Sequence, residues 1–331
     1  MKLLVSITSV ALVILLSCFS QADAQQLEAA KKEGKVIWYT SMGVDDSQPF
    51  GASFTKKYPE IKVEIVRASA EKLLNRMLTE VKAGSYLFDV VTLSGFEAHI
   101  AQKQGLLGKY VSPESKVYPK GFKDPEGYWT DIWDNYYAVG YNTKMVKKDE
   151  APKSWQDLLD PKWKGTFAMD DEEYEWYAGM LEAMGEEKGK NFMRTLAKQE
   201  IQWRKGHNLL AQLLVAGEFP LAMSYAHRVE QQKKRGAPVE WIATTDPIIV
   251  SLHPIGLGAK AEHPNAARLF IDFTISKAGQ QLIQSFNRTP AHPELQAGPA
   301  SNLPLYPISP SVADRYKKYI DEFRAIFQRA Q

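Results

Sequence analysis

The chain has 331 residues, ordinary apolar and charged fractions, and a formal net charge of +2. This length suffices for two folded domains, and the low net charge gives no electrostatic case for a nucleic-acid partner. Cys18 is the single cysteine, so an internal disulfide and a metal site built from several cysteines are excluded.

The amino terminus has the pattern of a secretory signal. Lys2 precedes an apolar run over 3–16, and Ala22 and Ala24 place small residues where a signal peptidase cleaves. We therefore predict a signal peptide over 1–24 and a periplasmic, secreted chain that starts at Gln25. A lipoprotein box ending at Cys18 is the alternative. We prefer the small-residue site because it lies nearer the start of the folded pattern.

The first predicted strand, 35–39, ends in a polar loop containing Thr40, Ser41 and Met42. Phe50, Phe54 and Tyr58 then recur at helical spacing. A second strand is predicted over 61–65, followed by a helix capped by Ser69 and closed by Gly84.

A third strand, 88–93, ends in Ser94 and Gly95, which open another helix. Hydroxyl groups and glycines thus follow two strands of a predicted α/β sheet. Ligands bind at such strand ends, so Thr40, Ser41, Met42, Ser94 and Gly95 are candidate ligand contacts, although an ordinary strand-to-helix turn with capping hydroxyls has the same pattern.

A strand over 136–142 leaves this unit and a second α/β unit follows. Its strands are predicted at 165–169, 201–203, 219–225 and 239–242, and its helices near 174–180, 209–216 and 228–235. The segment 244–247 then leads back into a strand at 248–250. Helices are predicted over 264–275, 278–286 and from 312 to the end.

The order and spacing of several segments resemble the solute-binding proteins of bacterial ABC importers, in the branch that includes ferric-iron, thiamine, phosphonate and sugar-phosphate binders. The segments are 34–41 (GKVIWYTS), 88–91 (FDVV), 137–143 (YAVGYNT), 154–158 (SWQDL), 163–165 (WKG) and 263–273 (HPNAARLFIDF). Together they cover nearly the whole mature chain.

The resemblance implies a type II periplasmic-binding-protein fold, with two α/β lobes, a ligand cleft and two hinge crossings. Lobe 1 is then discontinuous, 25–140 and 247–331, and lobe 2 is 141–246. The implied function is the capture of one small solute and its delivery to a membrane permease by a monomer without a cofactor. Hinge closure around the solute is the implied motion.

Second-lobe candidates begin at 170–173, where four acidic residues open a helix. Asp170 and its neighbours either coordinate a cation or stabilise the helix dipole. Tyr174, Trp176 and Tyr177 either form an aromatic wall or belong to the core.

Arg204, His207 and Asn208 flank a glycine at a helix start, which is typical of an anion site, although a solvated turn has the same pattern. Tyr225 ends a strand and is followed by His227 and Arg228. Ferric-binding relatives carry two adjacent tyrosines at this position, whereas Ser224 and Ala226 flank Tyr225 here. This departure favours a small polar, anionic solute, with Tyr225 as a metal ligand only if the solute is iron.

An enzyme is the weaker hypothesis. The sequence contains no Gly-x-Ser-x-Gly, no His-Glu-x-x-His and no phosphate-binding loop. A periplasmic hydrolase that uses dispersed carboxylates remains an alternative, as does a ferric-iron importer component.

Overall fold

The computed structural model describes residues 24–243, 246–296 and 303–327. Nearly all of the predicted signal peptide, including Cys18, lies outside these residues. The described chain forms one large mixed sheet with helices packed around it. The strands are β1 (Lys35–Thr40), β2 (Lys62–Arg67), β3 (Val90–Thr92), β4 (Leu107–Gly108), β5 (Thr130–Asn142), β6 (Phe167–Asp170), β7 (Gln202–Arg204), β8 (Leu221–Tyr225), β9 (Val239–Trp241), β10 (Ile248–Gly258), β11 (Thr289–Pro290) and β12 (Leu305–Pro307).

Most predicted helices are present, and most of their boundaries lie close to those read from the sequence. The helices are α1 (24–33), α2 (Val44–Lys57), α3 (Ala70–Lys82), α4 (Gly95–Lys103), α5 (Tyr174–Met184), α6 (Glu186–Leu196), α7 (His207–Ala216), α8 (Ala226–Lys234), α9 (Pro264–Ile275), α10 (Lys277–Ser285) and α11 (Tyr316–Phe327). The Ser69 side chain caps α3 by accepting from the Lys72 amide, as predicted. Helix α6 follows Gly185 directly and has no counterpart among the predicted elements.

The two long strands β5 and β10 connect the halves of the sheet. The strand order is β2-β1-β3-β10-β5-β8-β6-β7. The first half of β5 pairs with β10 up to Tyr136, and its second half pairs with β8 from Tyr137 onward. One half therefore contains β1, β2 and β3, and the other contains β6, β7 and β8. Each half is a lobe of the predicted α/β type.

Helix α5 lies against the central strands at unusually short range. A Cβ atom on Gly179 would come within 2.7 Å of Ile249 and 2.8 Å of Ile308, so only glycine permits this approach. The interface buries apolar side chains from both halves of the sheet in one hydrophobic cluster. This packing fixes the start of α5 above the middle of β5 and β10.

The last helix packs on the second half of the molecule. Phe323 of α11 lies 5.2 Å from the ring of Tyr174, and Phe327 lies 5.5 Å from Trp203. The sequence-based division places 247–331 in lobe 1, so the structure shows α11 on elements predicted for the other lobe. The physical reason is its apolar face, which the α5 and α6 core covers. The remaining lobe boundaries stay predictions.

Candidate functional site

Strand ends from both lobes meet at the middle of the sheet. Strands β1 and β3 are parallel neighbours, so the loops that lead into α2 and α4 lie at one edge. Gly95, at the start of α4, lies against Leu252 of β10. From the other lobe, Tyr225 at the end of β8 is the register partner of Tyr137 on β5. The two edges therefore face each other across β5 and β10 and form an interlobe cleft.

Four helices begin at this cleft without a side-chain cap. They are α2, α4, α7 and α8. The first amides of a helix have no partner within the helix, and together with the helix dipole they favour a negatively charged ligand. Two of these starts come from each lobe, so an anion between them is approached from both sides.

Two arginines define what we call the cationic end of the cleft. Arg288 is paired: its Nε donates to Asp46 Oδ2 at 2.7 Å, and its guanidinium lies 4.7 Å from the ring centroid of Trp133. Arg228 forms no ion pair with any residue of the described chain. Its Nη1 donates to Gln231 at 3.4 Å, while its buried Nε has no partner there. Burial and the nearby Arg288 lower the pKa of Arg228. Its charge is therefore only partly compensated by the protein.

Three histidines lie around these arginines. Burial, with Arg228 or Arg288 as further causes, lowers the pKa of His207, His227 and His253 to about 3. They are neutral at physiological pH, and each neutral ring offers one N–H donor and one acceptor. The Nδ1 atoms of all three are buried without a hydrogen-bond partner among the described residues. The histidines therefore add neutral hydrogen-bonding groups to the site and no charge.

Glu175 defines the opposite, carboxylate end of the cleft. Its carboxyl oxygens accept from Ser251 Oγ at 2.9 Å and from the Tyr137 hydroxyl at 3.1 Å. Burial raises the pKa of Glu175 to about 7, although these two donors oppose the rise. Burial also raises the pKa of its neighbour Glu173, whose Oε1 lies 3.6 Å from Nδ1 of His207. Glu175 thus links α5 to both central strands.

Tyr225 lies between the two ends. Its ring centroid is 3.8 Å from His207, 5.3 Å from Tyr137 and 5.8 Å from His227. Burial and the nearby Glu173 and Glu175 raise the pKa of Tyr225, which keeps the phenol protonated. A protonated phenol is suited to one neutral hydrogen bond with a solute.

The predicted first-lobe residues lie in the expected loops, with different contacts. Ser41 Oγ is buried and has no partner in the described chain. Thr40 Oγ1 accepts from the Met42 amide at 3.1 Å and shapes the loop. Met42 is fully buried in the lobe 1 core, so the structure places it behind the cleft. Ser94 donates to Glu97, and Gly95 is buried against β10.

Among the second-lobe predictions, Asp170 and Arg204 are already engaged within the protein. Asp170 accepts from the amides of Glu172 at 2.9 Å and Gly206 at 2.5 Å, so it orders the turn that precedes α7. Arg204 forms an ion pair with Glu218. Asn208 is exposed on α7. Arg204 therefore leaves the predicted anion set, whereas Arg228, which the sequence also offered as a partner for an anion, remains in it and is joined by Arg288.

The aromatic residues of α5 were considered for a wall of the cleft. The structure places Trp176 and Tyr177 fully inside the hydrophobic core, where Trp176 packs 5.3 Å from Trp155. Tyr174 is also buried, and its hydroxyl accepts from Arg324. The reason is that α5 packs against both the central strands and α11, so several of its faces are covered. We therefore correct this assignment to core.

Sequence reasoning missed Arg288, Glu175 and Ser251 as cleft residues. Arg288 is 242 residues from its partner Asp46 and follows a helix without any local motif. Glu175 lies two residues after the acidic run that begins at Asp170, and this run could have indicated Glu175 as a candidate cleft residue. Within the described residues, no group of three or more His, Cys, Asp or Glu side chains is arranged to hold a metal ion.

A family model described as bacterial extracellular solute-binding protein matches residues 50–307. The chain belongs to this family. The family consists of binding proteins, so the chain is a solute-binding component of an ABC importer and not an enzyme. It delivers a small ligand to a membrane permease from the extracytoplasmic side. None of the helices that the structure describes is long and apolar enough to cross a membrane.

Relatives and solved structures agree with this family and with the two-lobe type II fold. The Fe(3+)-binding periplasmic protein of Serratia marcescens is 23% identical over 293 residues, which cover 85% of each chain. Iron-bound HitA from Pseudomonas aeruginosa has a TM-score of 0.74 at 20% identity, covering 87% of this chain and 99% of its own. AfuA from Actinobacillus pleuropneumoniae, with fructose-6-phosphate bound, has a TM-score of 0.72 at 23% identity, covering 89% and 99%.

Proposed function

We propose that the solute is a small organic anion, and that its anionic group lies between Arg228 and Arg288. The observation that carries this proposal is Arg228 itself. Arg228 is half-buried beside Arg288 and has no ion pair within the described chain, and the nearby Asp46, which is already paired with Arg288, compensates its charge only in part. An anion in the cleft compensates the charge of Arg228 beside the Arg288–Asp46 pair, and charge-assisted hydrogen bonds to arginine are among the strongest available.

The surrounding groups support the same ligand class. Four uncapped helix starts direct amides into the cleft, and the buried Ser41 hydroxyl has no partner within the described chain. Neutral histidines supply further hydrogen-bonding groups without opposing charge. A phosphate ester fits these donors, and AfuA, a structural neighbour, is a sugar-phosphate binder. A carboxylate such as citrate offers the same chemistry.

Ferric iron is the second candidate, favoured by one contact. Tyr137 lies across from Tyr225, and their ring centroids are 5.3 Å apart. Tyr137 therefore provides the second phenol near Tyr225 that the sequence next to Tyr225 does not provide. Some relatives are named for iron. Iron binding requires phenolates, so iron would have to displace the protons of two phenols whose pKa values are raised by burial and by nearby carboxyls.

The solute class is testable on protein purified without refolding. Native mass spectrometry should show a retained organic anion, and calorimetry should show saturable binding of phosphate esters or citrate without turnover. Arg228→Met should weaken this binding by about tenfold or more, whereas Arg204→Met is the matched control because Arg204 is paired with Glu218. Unchanged binding in Arg228→Met would contradict the proposal.

The moving bodies are also proposed. We infer that the lobes rotate about β5 and the start of β10, and that α11 moves with the second lobe because it packs on α5 and α6. Part of the predicted crossing at 244–247 lies outside the described residues. Small-angle scattering should show a smaller radius of gyration with the solute than without it.

We also propose that the protein is a monomer exported by a signal peptide over 1–24. Its net charge of +2 supports a protein that does not bind nucleic acid.

A further inference from the structure

A cavity of about 670 Å³ lies beside the cationic end of the cleft. Its walls come from α8, β9, the 148–153 segment and the chain between Gln284 and Gln296. His227 and Arg288 belong to both spaces. The His227 ring stacks on Tyr225 in the cleft, and Arg288 binds Asp46 there, while both side chains also line the cavity. The cavity therefore shares two wall residues with the proposed anion site.

The lining combines aromatic rings with polar atoms that lack partners. Tyr136, Tyr141 and Trp241 line the cavity. The Tyr136 side chain is only 2% exposed, and its hydroxyl has no hydrogen-bond partner among the described residues. The same holds for the buried Nδ1 of His227. These two polar atoms are closed off from solvent, so a ligand in the cavity meets mainly the faces of the aromatic rings.

The amide groups of the cavity wall are largely occupied by the protein. Gln231 Nε2 donates to the Asn287 carbonyl at 3.1 Å, and Gln284 Nε2 donates to the Leu295 carbonyl at 3.3 Å. Gln296 Nε2 donates to Asp134 at 3.3 Å. Charged side chains also line the cavity, and two of them, Lys233 and Glu240, are paired with each other at 2.6 Å. The rest of the surface left for a ligand is mainly aromatic and aliphatic, with two phenols and one imidazole. Such a lining suits an apolar organic group, and the volume is in the range of small-molecule sites.

We propose that this cavity is a subsite for the apolar body of the solute, whose anionic group lies at Arg228 and Arg288. The solute is then an organic anion with a substantial apolar part, larger than phosphate or a simple sugar phosphate. This inference rests on the proposed anion function. It assigns Trp241, Tyr136 and Tyr141 to recognition of the apolar part of the solute. It also explains why the two residues shared by the cavity and the cleft are ones that can contact an anion.

The test compares inorganic phosphate with phenyl phosphate, which carries the same anionic group on an aromatic body. In the unmodified protein, calorimetry should show phenyl phosphate binding at least about tenfold more tightly, because the ring leaves water for an apolar wall. Trp241→Ala should reduce this ratio to less than about threefold and leave inorganic phosphate unchanged. Trp203→Ala is the matched control, since Trp203 is also half-buried but packs against α11. It should keep the full ratio.

A second variant fills part of the cavity instead of removing an aromatic ring from its wall. Gln284→Trp places a large side chain at the exposed edge of the cavity and should weaken phenyl phosphate alone. Equal affinities for the two anions in the unmodified protein, with binding still dependent on Arg228, would overturn the subsite and leave the anion function standing. Absence of binding for both anions would overturn the anion function. Phenyl phosphate binding that is as tight in Arg228→Met as in the unmodified protein would overturn the joint site.

Discussion

The two ends of the cleft differ in whether the protein itself supplies a partner for the ionisable group. At the carboxylate end, Glu175 accepts hydrogen bonds from Ser251 and Tyr137, so its carboxyl is satisfied before any solute arrives. At the cationic end, Arg228 is desolvated, lies near Arg288 and has no ion pair within the described chain. The first arrangement fits a structural link between lobe elements. The second fits a group that is completed by a ligand.

The difference matters because burial alone does not separate structural groups from binding groups. Glu175 and Arg228 both have shifted pKa values, and burial is the largest cause in each case. What differs is whether the protein supplies the partner. A buried charge with its partner already present gains little from a ligand, whereas one without a partner gains the full charge-assisted interaction. The following substitutions test this distinction, and the largest expected effect comes first.

Trp176→Ala should destabilise the protein by about 3–5 kcal/mol, because it removes a fully buried indole from the core behind the carboxylate end. Chemical denaturation measures this loss. Solute affinity in the folded protein should stay within about threefold of the unmodified value, since Trp176 does not reach the cleft. Trp176→Phe is the milder control. If Trp176→Ala lost solute affinity but kept its stability, Trp176 would have to be assigned to the wall of the cleft.

Arg228→Met should weaken anion binding by about 1.5–3 kcal/mol, since it removes a charged donor. The same substitution should raise the melting temperature of the solute-free protein, because it also removes a desolvated charge repelled by Arg288. These opposite signs distinguish a ligand-completed arginine from a structural one. Calorimetry and thermal unfolding measure the two effects. A fall in both affinity and solute-free stability would show that Arg228 has a partner of its own in solution.

Glu175→Gln tests the carboxylate end through pH. The pKa of Glu175 is raised from 4.5 to about 7 in the folded protein, so its contribution to stability is fully present below the unfolded value and is lost as the pH rises through about 7. Glutamine keeps an acceptor for Ser251 and Tyr137 without titrating. The variant should therefore gain stability relative to the unmodified protein as the pH increases, by on the order of 3 kcal/mol at about pH 8, because each unit of the shift corresponds to about 1.4 kcal/mol. Parallel melting curves between about pH 4 and pH 8 measure the difference, and a constant difference would contradict the shift.

The sequence predicted the framework of the site better than its contacts. Alternating apolar residues and caps such as Ser69 are local signals, and they placed β1, α3 and the polar loops at Thr40 and Ser94. Partner choice is not local. Arg204 and Arg228 look alike in the sequence, and only the fold brings Glu218 to the first of them.

The aromatic residues of α5 show the same limit. Trp176 and Glu175 are adjacent in sequence, yet one enters the core and the other reaches Ser251 of β10. The division depends on how α5 is rotated against β10 and α11. That rotation is set by the close contact at Gly179, which involves residues more than sixty positions away. Helical spacing alone therefore left core and cleft as alternatives.

Tyr225→Phe should have the smallest effect and also separates the two solute classes. If the solute is an organic anion, Tyr225 contributes one neutral hydrogen bond, and its loss should cost about 0.5–1.5 kcal/mol, less than the loss of Arg228. The pKa values of Tyr225 and Tyr137 are raised, so both phenols are protonated in the solute-free protein and iron would have to displace both protons on binding. Because we propose an organic anion, we expect a ferric chelate to leave the protein without a visible charge-transfer band. Tyr137→Phe is the matched control, since Tyr137 is its neighbour across the strands. A ferric band that disappears in both variants would make iron the solute and would assign the two phenols as its ligands.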